Sequence, residues 1–320
     1  MKFFLLGHHW VNAGPSNVNR SLINNSDGDM VYTKSKSKLG FYLESAYYTF
    51  KYNQILLSGS NSWKIESLLK LFNKRYYYLM HGCVEYENII NNLHVSQKDL
   101  DAEQKILKQA IKIICVSEGY AKWVKNRYPQ FENKITFVNN GINIEPRPKV
   151  EKRPLSIAVA GGNRCIKNNG EVYRAVKKLN AENIPCKLYV FGRFYPDNDE
   201  FIKNNDVIHY GQLDRDEYYK KLDQIDCFIM NSEVEPFGLV VADALNCNCS
   251  LLMSKNVGSR YIMKTDPNDI IQNPHNIEEL AEKIKRVLNY PNGERLFQTI
   301  DVKACSEQQA YQNIKKIIEK

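Results

Sequence analysis

Short apolar runs alternate along this chain with longer stretches in which apolar residues recur every three to four positions. The short runs predict strands at 2–6, 54–57, 76–80, 112–116 and 134–138, with helices near 17–24, 62–73, 99–110 and 118–127. A second series predicts strands at 156–160, 186–191, 207–210, 227–230 and 250–253, with helices near 168–182, 214–224, 237–246, 276–288 and 303–319. This alternation is typical of βαβ units and parallel sheets.

A charged stretch with three prolines, at 143–154, separates the two series and has the composition of a linker. We therefore expect an α/β protein with two Rossmann-like domains that face each other across a cleft. The first domain would comprise residues 1–148, with the last helix and the residues after it, 303–320, packing back on it, and the second would comprise 149–302. Doubly wound sheets bind ligands at the carboxyl ends of their strands, so the cleft is the expected site.

The stretch from Glu235 to Asp243 carries the clearest chemical signal. It follows a predicted strand, and residues 237–239 open a predicted helix. Free amides at a helix start, helped by the helix dipole, bind anions such as a diphosphate. Asp243 would lie up the helix, about 9 Å along its axis, at 1.5 Å per residue. The two carboxylates would then lie on either side of a diphosphate, where each can accept hydrogen bonds from hydroxyl groups.

The same stretch resembles the donor-site signature E-x-F-G-x-x-x-x-E-A of retaining family 4 glycosyltransferases, which have the GT-B fold. The matching residues are Glu235, Phe237, Gly238, Asp243 and Ala244. Further segments resemble motifs that this family has at comparable places: His81 with Gly82, Ser117 with Glu118, residues 140–142, and Gly161 and Gly162 with Lys167. The resemblance spans nearly the full chain and implies a GT-B enzyme with a nucleotide-sugar donor domain and an acceptor domain.

The resemblance implies a role for individual residues. Glu235 would bind the transferred sugar, Asp243 the ribose of the nucleotide, and Lys167 the diphosphate, while His81 would lie near the reacting carbon of the sugar. The implied catalytic residues are His81, Glu235 and Lys167, and the implied donor-binding residues are Gly14, Gly162, Arg164, Lys167, Glu235, Phe237, Gly238, Leu239 and Asp243. Gly14 belongs to a segment, 14–17, that resembles the family's glycine loop; a simple turn is the alternative there.

Three positions depart from the family pattern. Asp243 replaces a glutamate, which shortens the side chain by about 1.5 Å, one carbon–carbon bond. Gly162 stands where the family has an arginine, and Arg164, two positions later, is the candidate to replace its charge. The segment 246–249 stands where the family often has glycine and proline.

The resemblance further implies the reaction. A hexosyl or N-acetylhexosaminyl group would pass from a UDP-sugar to a hydroxyl of a glycan or lipid-linked saccharide, with retention of configuration and without a metal or other cofactor. Surface polysaccharide biosynthesis is the expected setting. An alternative from another class is a non-catalytic GT-B subunit that binds or activates a partner glycosyltransferase, suggested by Asp243 and the displaced arginine.

The net charge of +8 lies entirely in the first half of the chain. Residues 1–150 contain 20 Lys and Arg against 12 Asp and Glu, whereas the remainder is balanced. An anionic membrane surface near a cluster at 63–78 (Trp63, Lys64, Lys70, Lys74, Arg75 and three tyrosines, Tyr76 to Tyr78) is one interpretation. A solvated lysine-rich face, with 63–78 forming a core-facing helix and a strand, is the other.

Cysteine use and hydropathy suggest a cytoplasmic protein, with peripheral attachment to the inner face of the plasma membrane as an extension. The eight cysteines are scattered and several lie in apolar runs, so we expect reduced thiols. Cys247 and Cys249 lack the spacing of a zinc site. The opening apolar run is too short for a signal peptide, and no segment approaches the roughly 20 apolar residues that span a bilayer.

Other ligand classes fit less well. Three Asp-x-Asp sequences, at 27–29, 197–199 and 214–216, would suit a metal-dependent GT-A enzyme, but each has turn-like neighbours. The glycines near 161 lack the G-x-G-x-x-G spacing of a dinucleotide site. A sugar-nucleotide epimerase shares the GT-B architecture and stays open. We expect no nucleic-acid binding, because no aromatic and basic platform of a known module is present.

Overall fold

The computed structural model describes residues 2–11, 13–59, 62–193 and 206–320. The chain divides into two compact units. The N-terminal unit comprises Met1–Ile142 and Lys303–Lys320, and the C-terminal unit comprises Asn143–Val302. Each unit contains one parallel sheet with helices, so the predicted α/β class with two Rossmann-like domains is confirmed.

The N-terminal unit has six parallel strands in the order β2-β1-β3-β4-β5-β6. The strands are β1 (Phe3–Leu6), β2 (Met30–Tyr32), β3 (Ile55–Ser58), β4 (Tyr77–Met80), β5 (Lys112–Cys115) and β6 (Ile135–Phe137). The helices are α1 (Gly14–Asn24), α2 (Lys38–Lys51), α3 (Trp63–Leu71), α4 (Val84–Ile90), α5 (Gln97–Gln109) and α6 (Glu118–Arg127).

The central strands of this unit are short, continuous apolar runs because their residues are buried on both faces. All four residues of β1 and of β4 are buried. Tyr76, Tyr77 and Tyr78 therefore belong to the core, and their proposed place on a membrane-facing cluster was wrong. The core-facing alternative for these tyrosines is what the structure contains.

The C-terminal unit also has six parallel strands, in the order β12-β11-β10-β7-β8-β9. They are β7 (Arg153–Ala160), β8 (Lys187–Phe191), β9 (Val207–Gly211), β10 (Ile225–Met230), β11 (Ser250–Ser254) and β12 (Ile270–Ile271). The helices are α7 (Asn169–Ala181), α8 (Arg215–Leu222), α9 (Val240–Asn246), α10 (Ile277–Asn289) and α11 (Gly293–Gln298). One side of the sheet packs on α7 and α10 through a continuous apolar core.

The last helix, α12 (Glu307–Ile318), packs on α1 in the N-terminal unit, as predicted. Asp29 anchors it by accepting hydrogen bonds from Lys315 and Tyr311. Burial of Asp29 opposes its ionisation, but these two donors outweigh that effect and lower the pKa of Asp29. The Tyr77 hydroxyl donates to the carbonyl of Ile318 at 3.3 Å, which fixes the end of the helix.

Several elements were absent from the predicted pattern: β2, α2, α4, β12 and α11. Three helix starts differ by three or more positions, and one of them is α12, which begins at Glu307 and not at residue 303. Helix α1 begins at Gly14, so 14–17 is its first turn and not a loop. Helix α9 begins at Val240 and not at residue 237, because Gly238 has a φ of 91° and cannot be part of a right-handed helix. No helix in the described ranges is long and apolar enough to cross a bilayer.

Candidate active site

The strand order of the C-terminal unit brings two loops together. Strand β7 lies between β8 and β10, and Val159 near its end pairs with Ile229 near the end of β10. The loops that follow β7 and β10 are therefore neighbours at the carboxyl edge of the sheet. The strand order reverses at β7, and such a switch point is where open α/β sheets bind ligands.

Two glycines shape the loop after β7. Gly161 and Gly162 have φ angles of 94° and 63°, which disfavour any side chain. A Cβ added at Gly161 would lie 2.9 Å from Cγ of Lys167, and one at Gly162 would lie 1.9 Å from the carbonyl oxygen of Arg193. The Lys167 side chain can thus lie across Gly161. The Asn169 side chain donates to the Gly162 carbonyl at 2.6 Å and closes the loop.

The loop after β10 positions Glu235. Its carbonyl accepts a hydrogen bond from the amide of Gly258 at 2.9 Å, and its own amide donates to the Asn256 carbonyl at 3.2 Å. A Cβ added at Gly238 would approach Cγ of Glu235 to 3.1 Å, so a side chain at 238 would crowd the carboxylate. Backbone bonds and a glycine together hold Glu235 in place.

Lys167 and Glu235 form an ion pair between Nζ and Oε2, and each side chain is only 12% exposed. The Ser232 hydroxyl adds a contact to the same carboxylate oxygen at 3.5 Å. The sequence suggested separate ligand groups for these two residues, the diphosphate for Lys167 and the sugar for Glu235. The structure brings both charges to one point, although they are 68 positions apart in the chain.

The amides of residues 237–239 belong to the loop before α9 and not to a helix start, which corrects the predicted geometry. None of them donates a hydrogen bond to another described residue. Phe237 is buried, and its carbonyl accepts from the amide of Ser259 at 2.7 Å. The Ser259 hydroxyl, near Gly238, is buried and has no partner within the described part of the chain. Sequence reasoning missed Ser259.

Asp243, in the first turn of α9, accepts a hydrogen bond from the Tyr219 hydroxyl at 2.6 Å. Burial raises the pKa of Asp243, and the Tyr219 hydrogen bond partly offsets that rise. Sequence reasoning missed Tyr219, which lies on α8. The carboxylate expected to be a free acceptor for a ribose therefore has one oxygen already bonded.

The geometry explains the arginine missing at position 162. A side chain there would need a positive φ and would collide with the Arg193 carbonyl. Arg164 lies in the same loop, with Nε 3.4 Å from the Gly161 carbonyl oxygen. Its charge is thus near Lys167, since both side chains approach Gly161.

Glu233 is another residue that the sequence did not single out. It contacts Nε2 of His275 at 3.0 Å and accepts from the Asn168 side chain at 3.3 Å. Its amide donates to the Ile166 carbonyl at 2.8 Å, which ties the β10 loop to the turn that contains Lys167.

His81 follows β4 in the N-terminal unit and ends a chain of hydrogen bonds. The Asn19 side-chain NH₂ donates to the His8 carbonyl at 2.8 Å, so its oxygen must face Ser58. The Ser58 hydroxyl donates to that oxygen at 2.5 Å and has no second proton to give. Nε2 of His81, 2.9 Å from the Ser58 oxygen, therefore carries the proton and donates it.

Burial lowers the pKa of His81 to about 4, so the imidazole is neutral near pH 7. No residue of the described part of the chain bonds to its Nδ1. A Cβ added at Gly59 would lie 2.9 Å from Cβ of Pro15 and 3.6 Å from Cδ2 of His81. The start of α1 and His81 thus meet at Gly59. Space is open at Gly14, where an added Cβ meets no atom within 4 Å.

The structure describes two of the three Asp-x-Asp sequences that were considered as metal sites. Asp29 anchors α12, and Asp214 caps α8 by accepting from the amide of Glu217 at 2.9 Å. Both are structural. The sequence at 197–199 lies outside the described residues. Within the described ranges, no three His, Cys, Asp or Glu side chains are grouped as metal ligands.

Comparison with known sequences identifies the C-terminal unit. Residues 142–299 match the family described as Glycosyl transferases group 1. A protein of Methanocaldococcus jannaschii, named as an uncharacterized glycosyltransferase, is 25% identical over 182 residues, which is 56% of this chain and 50% of that protein. The match spans about half the length of this curated relative.

Comparison with solved structures identifies the fold of the whole chain. Anabaena HepE, in complex with UDP and glucose, has a TM-score of 0.73 at 14% identity, covering 100% of this chain and 99% of that one. The apo form of the lipopolysaccharide outer core galactosyltransferase WaaB has a TM-score of 0.66 at 14% identity, with the same coverage. This chain therefore has the GT-B fold, and its residues 142–299 match the glycosyl transferases group 1 family.

Proposed function

We propose that this protein is a retaining glycosyltransferase. It transfers a hexosyl or N-acetylhexosaminyl group from a UDP-sugar to a hydroxyl of a glycan or lipid-linked saccharide. The observation that carries the proposal is the ion pair of Lys167 and Glu235 at the switch point of the donor-unit sheet. HepE, which has the same fold, is described with UDP and glucose bound, and that supports the choice of a UDP-sugar.

Lys167 and the amides of 237–239 supply the positive charge and hydrogen-bond donors that a diphosphate needs. When the diphosphate binds, Lys167 moves from the carboxylate to a phosphate oxygen, and Glu235 then accepts hydrogen bonds from the sugar hydroxyls. Charge stabilisation by such pre-positioned groups is usually the largest contribution to catalysis. The lysine takes the place that a metal would have, so we propose transfer without a metal or other cofactor.

The reaction breaks the bond between the anomeric carbon and the phosphate oxygen and forms one between that carbon and the acceptor oxygen. The acceptor attacks from the face that the phosphate leaves, which retains the configuration. The acceptor's proton passes to the departing phosphate oxygen. For His81, whose imidazole burial keeps neutral, we propose the role of orienting the transferring sugar.

The setting is surface polysaccharide biosynthesis, at the cytoplasmic face of an anionic membrane. WaaB, a structural neighbour, is a lipopolysaccharide galactosyltransferase, which supports a surface-glycan role. The excess of Lys and Arg in the first 150 residues supports a partner of negative charge.

The test is incubation with a panel of nucleotide sugars, with thermal shift and release of nucleoside diphosphate by mass spectrometry as readouts. We expect one UDP-sugar to stabilise the protein and to yield UDP slowly in water and faster with an acceptor. Stabilisation without UDP release, with acceptor present, would indicate the non-catalytic subunit instead. No stabilisation by any nucleotide sugar would remove the proposal.

A further inference from the structure

Helix α2 leaves four large apolar side chains in solvent, whereas its inward face combines Phe41 with two small polar residues. The outward residues are Leu39, Leu43, Tyr47 and Phe50, which are 72%, 63%, 57% and 70% exposed. The inward residues are Phe41, Ser45 and Thr49. The hydroxyls of Ser45 and Thr49 are buried and have no partner among the described residues. This arrangement is the reverse of a surface helix in a globular protein.

The outward residues follow one another at spacings of four, four and three positions, so they form one stripe. At 1.5 Å per residue the stripe is about 16 Å long. Leaving a large apolar side chain in water instead of burying it forgoes roughly 1.5–3 kcal/mol. Elsewhere in the described ranges, large exposed apolar residues stand singly, as Tyr290 and Val302 do, or as a pair, as Ile89 and Leu93 do. The stripe is therefore a surface that a partner covers.

The stripe continues onto α3. The rings of Phe50 and Phe72 are 5.9 Å apart, and Leu71 beside Phe72 is 76% exposed. We call Leu39, Leu43, Tyr47, Phe50 and Leu71 the apolar stripe.

Lysines surround the apolar stripe. Lys51 lies 5.5 Å from the centre of the Tyr47 ring, and Lys74 donates to the Phe50 carbonyl at 3.3 Å. Three more, Lys34, Lys36 and Lys38, are exposed just before or at the start of the helix. The acid on α2, Glu44, is turned towards the helix start, where it accepts from the amides of Lys34 and Ser35.

These features favour a lipid surface over a protein as the occupant. An apolar stripe flanked by lysines is the composition of a helix that lies in the plane of an anionic membrane. Protein interfaces, in contrast, are depleted in lysine relative to the rest of the surface. Each lysine near an anionic bilayer contributes about 1 kcal/mol, and the unit that contains α2 carries the positive excess of the chain.

The position of α2 connects this surface to the candidate site. Phe41, on the inward face of α2, lies 4.2 Å from the ring of His8 and 5.6 Å from that of Trp10, both of which follow β1. The His8 carbonyl begins the hydrogen-bond chain that ends at His81. The first turns of α2 thus adjoin the carboxyl edge of the sheet where His81 lies.

We propose that the apolar stripe of α2 rests on an anionic bilayer and presents the His81 edge of the N-terminal unit to an acceptor in that bilayer. The identity of the acceptor rests on the proposed glycosyltransferase function, whereas the lipid contact does not. A second copy of this chain and another protein are the competing occupants.

The experiment is co-sedimentation of the full chain with vesicles of phosphatidylcholine, with and without about 30 mol% phosphatidylglycerol. We expect binding to the anionic vesicles that weakens at high salt. The double variant Leu43→Gln/Phe50→Gln should lower the affinity more than about tenfold, from the lost apolar burial. Lys51→Gln/Lys74→Gln should lower it by about tenfold or more on anionic vesicles. The matched control, Ile89→Gln/Lys105→Gln, changes exposed residues of the same unit and should bind like the wild type.

Several results would overturn the inference: wild type that stays in the supernatant, variants that bind as well as wild type, or a concentration-dependent dimer in sedimentation velocity that the Leu43→Gln/Phe50→Gln change abolishes. UDP release in the absence of vesicles is measured on the same samples. If UDP is released but the protein does not bind vesicles, only the proposed lipid contact is contradicted. If the protein binds vesicles but releases no UDP, only the proposed glycosyltransferase function is contradicted.

Discussion

The two sheets have the same architecture, yet their carboxyl edges carry different chemistry. In the C-terminal unit, Lys167 and Glu235 bring opposite full charges together in a largely buried place. In the N-terminal unit, Asn19, Ser58 and His81 form a chain of neutral groups, and burial keeps the imidazole uncharged.

The difference indicates what each edge is suited to bind. A charged pair can exchange partners with a ligand that is itself charged, such as a diphosphate. A neutral chain cannot neutralise charge, but it fixes where one proton lies and so which ring nitrogen can accept another. The two sheets have equivalent carboxyl edges. The side chains suit the edge of the C-terminal unit to binding a charged ligand and the edge of the N-terminal unit to orienting a neutral one.

The largest expected effect comes from removing the charged pair. Lys167→Met and Glu235→Gln should each lower kcat by about a hundredfold or more, because each loses charge stabilisation at the phosphate or contact with the sugar. The kcat of the double variant should be only slightly lower than that of the less active single variant, since the effects of two residues that act as a unit do not add. UDP release with the preferred donor measures all three.

The matched control is Lys178→Met, whose ion pair with Glu278 is on the surface and should leave kcat unchanged. Removing one charge from a largely buried pair also destabilises a protein, so thermal unfolding must show that each variant is folded at the assay temperature. Fully additive losses would mean that the lysine and the carboxylate act separately.

A smaller effect is expected at the neutral edge. His81→Gln keeps a donor for Ser58 but has no lone pair equivalent to Nδ1, so kcat should fall by about tenfold, with less change in donor KM. This is less than the roughly 100- to 10,000-fold contribution of a group that transfers a proton in the transition state, because His81 orients the sugar. Long-range ¹⁵N NMR should show the Nε2–H form of His81 in the wild type and a mixture in Ser58→Ala. His94→Gln, at an exposed histidine, is the control for kcat.

The same residue should affect stability at mildly acidic pH. The pKa of His81 in the folded protein, about 4, is below its ordinary value of 6.5. As the pH falls from 6.5 towards 4, the unfolded chain binds the proton and the folded protein does not, so stability declines in this window. In urea titrations at pH 7 and pH 5, the free energy of unfolding of His81→Gln should fall by roughly 2 kcal/mol less than that of the wild type. Equal losses would contradict the low pKa.

Sequence periodicity predicted helix α10 and missed helix α2, although both have a regular apolar repeat. Helix α10 was predicted because Leu280, Ala281, Ile284 and Val287 repeat at helical spacing and face the core. The apolar repeat of α2 faces solvent, while its inward positions are occupied by Phe41, Ser45 and Thr49. A prediction that places every apolar repeat in the core does not recognise a helix whose apolar residues face solvent.

The candidate site was predictable where its residues are close in sequence. The stretch from Glu235 to Gly238 and the glycines before Lys167 could be recognised from the chain alone. The contact between Lys167 and Glu235 could not, because it depends on β7 and β10 being neighbours in a sheet whose strand order is not the order of the chain. Tyr219 could not be found for the same reason, since α8 meets α9 only in the folded unit.

The smallest expected effect concerns Tyr219, whose neutral hydroxyl donates a hydrogen bond to Asp243 in the C-terminal unit. Tyr219→Phe keeps the ring, and with it the Arg147 guanidinium 4.7 Å from the ring centre, but removes the hydroxyl that donates to Asp243. If Asp243 holds the ribose, its carboxylate becomes less well oriented, and the donor KM should rise about threefold, less than the full value of a hydrogen bond to a charged group, with kcat unchanged. Tyr290→Phe, at an exposed tyrosine, is the control. A fall in kcat at constant KM would instead indicate that Asp243 contacts the reacting sugar and not the ribose of the nucleotide.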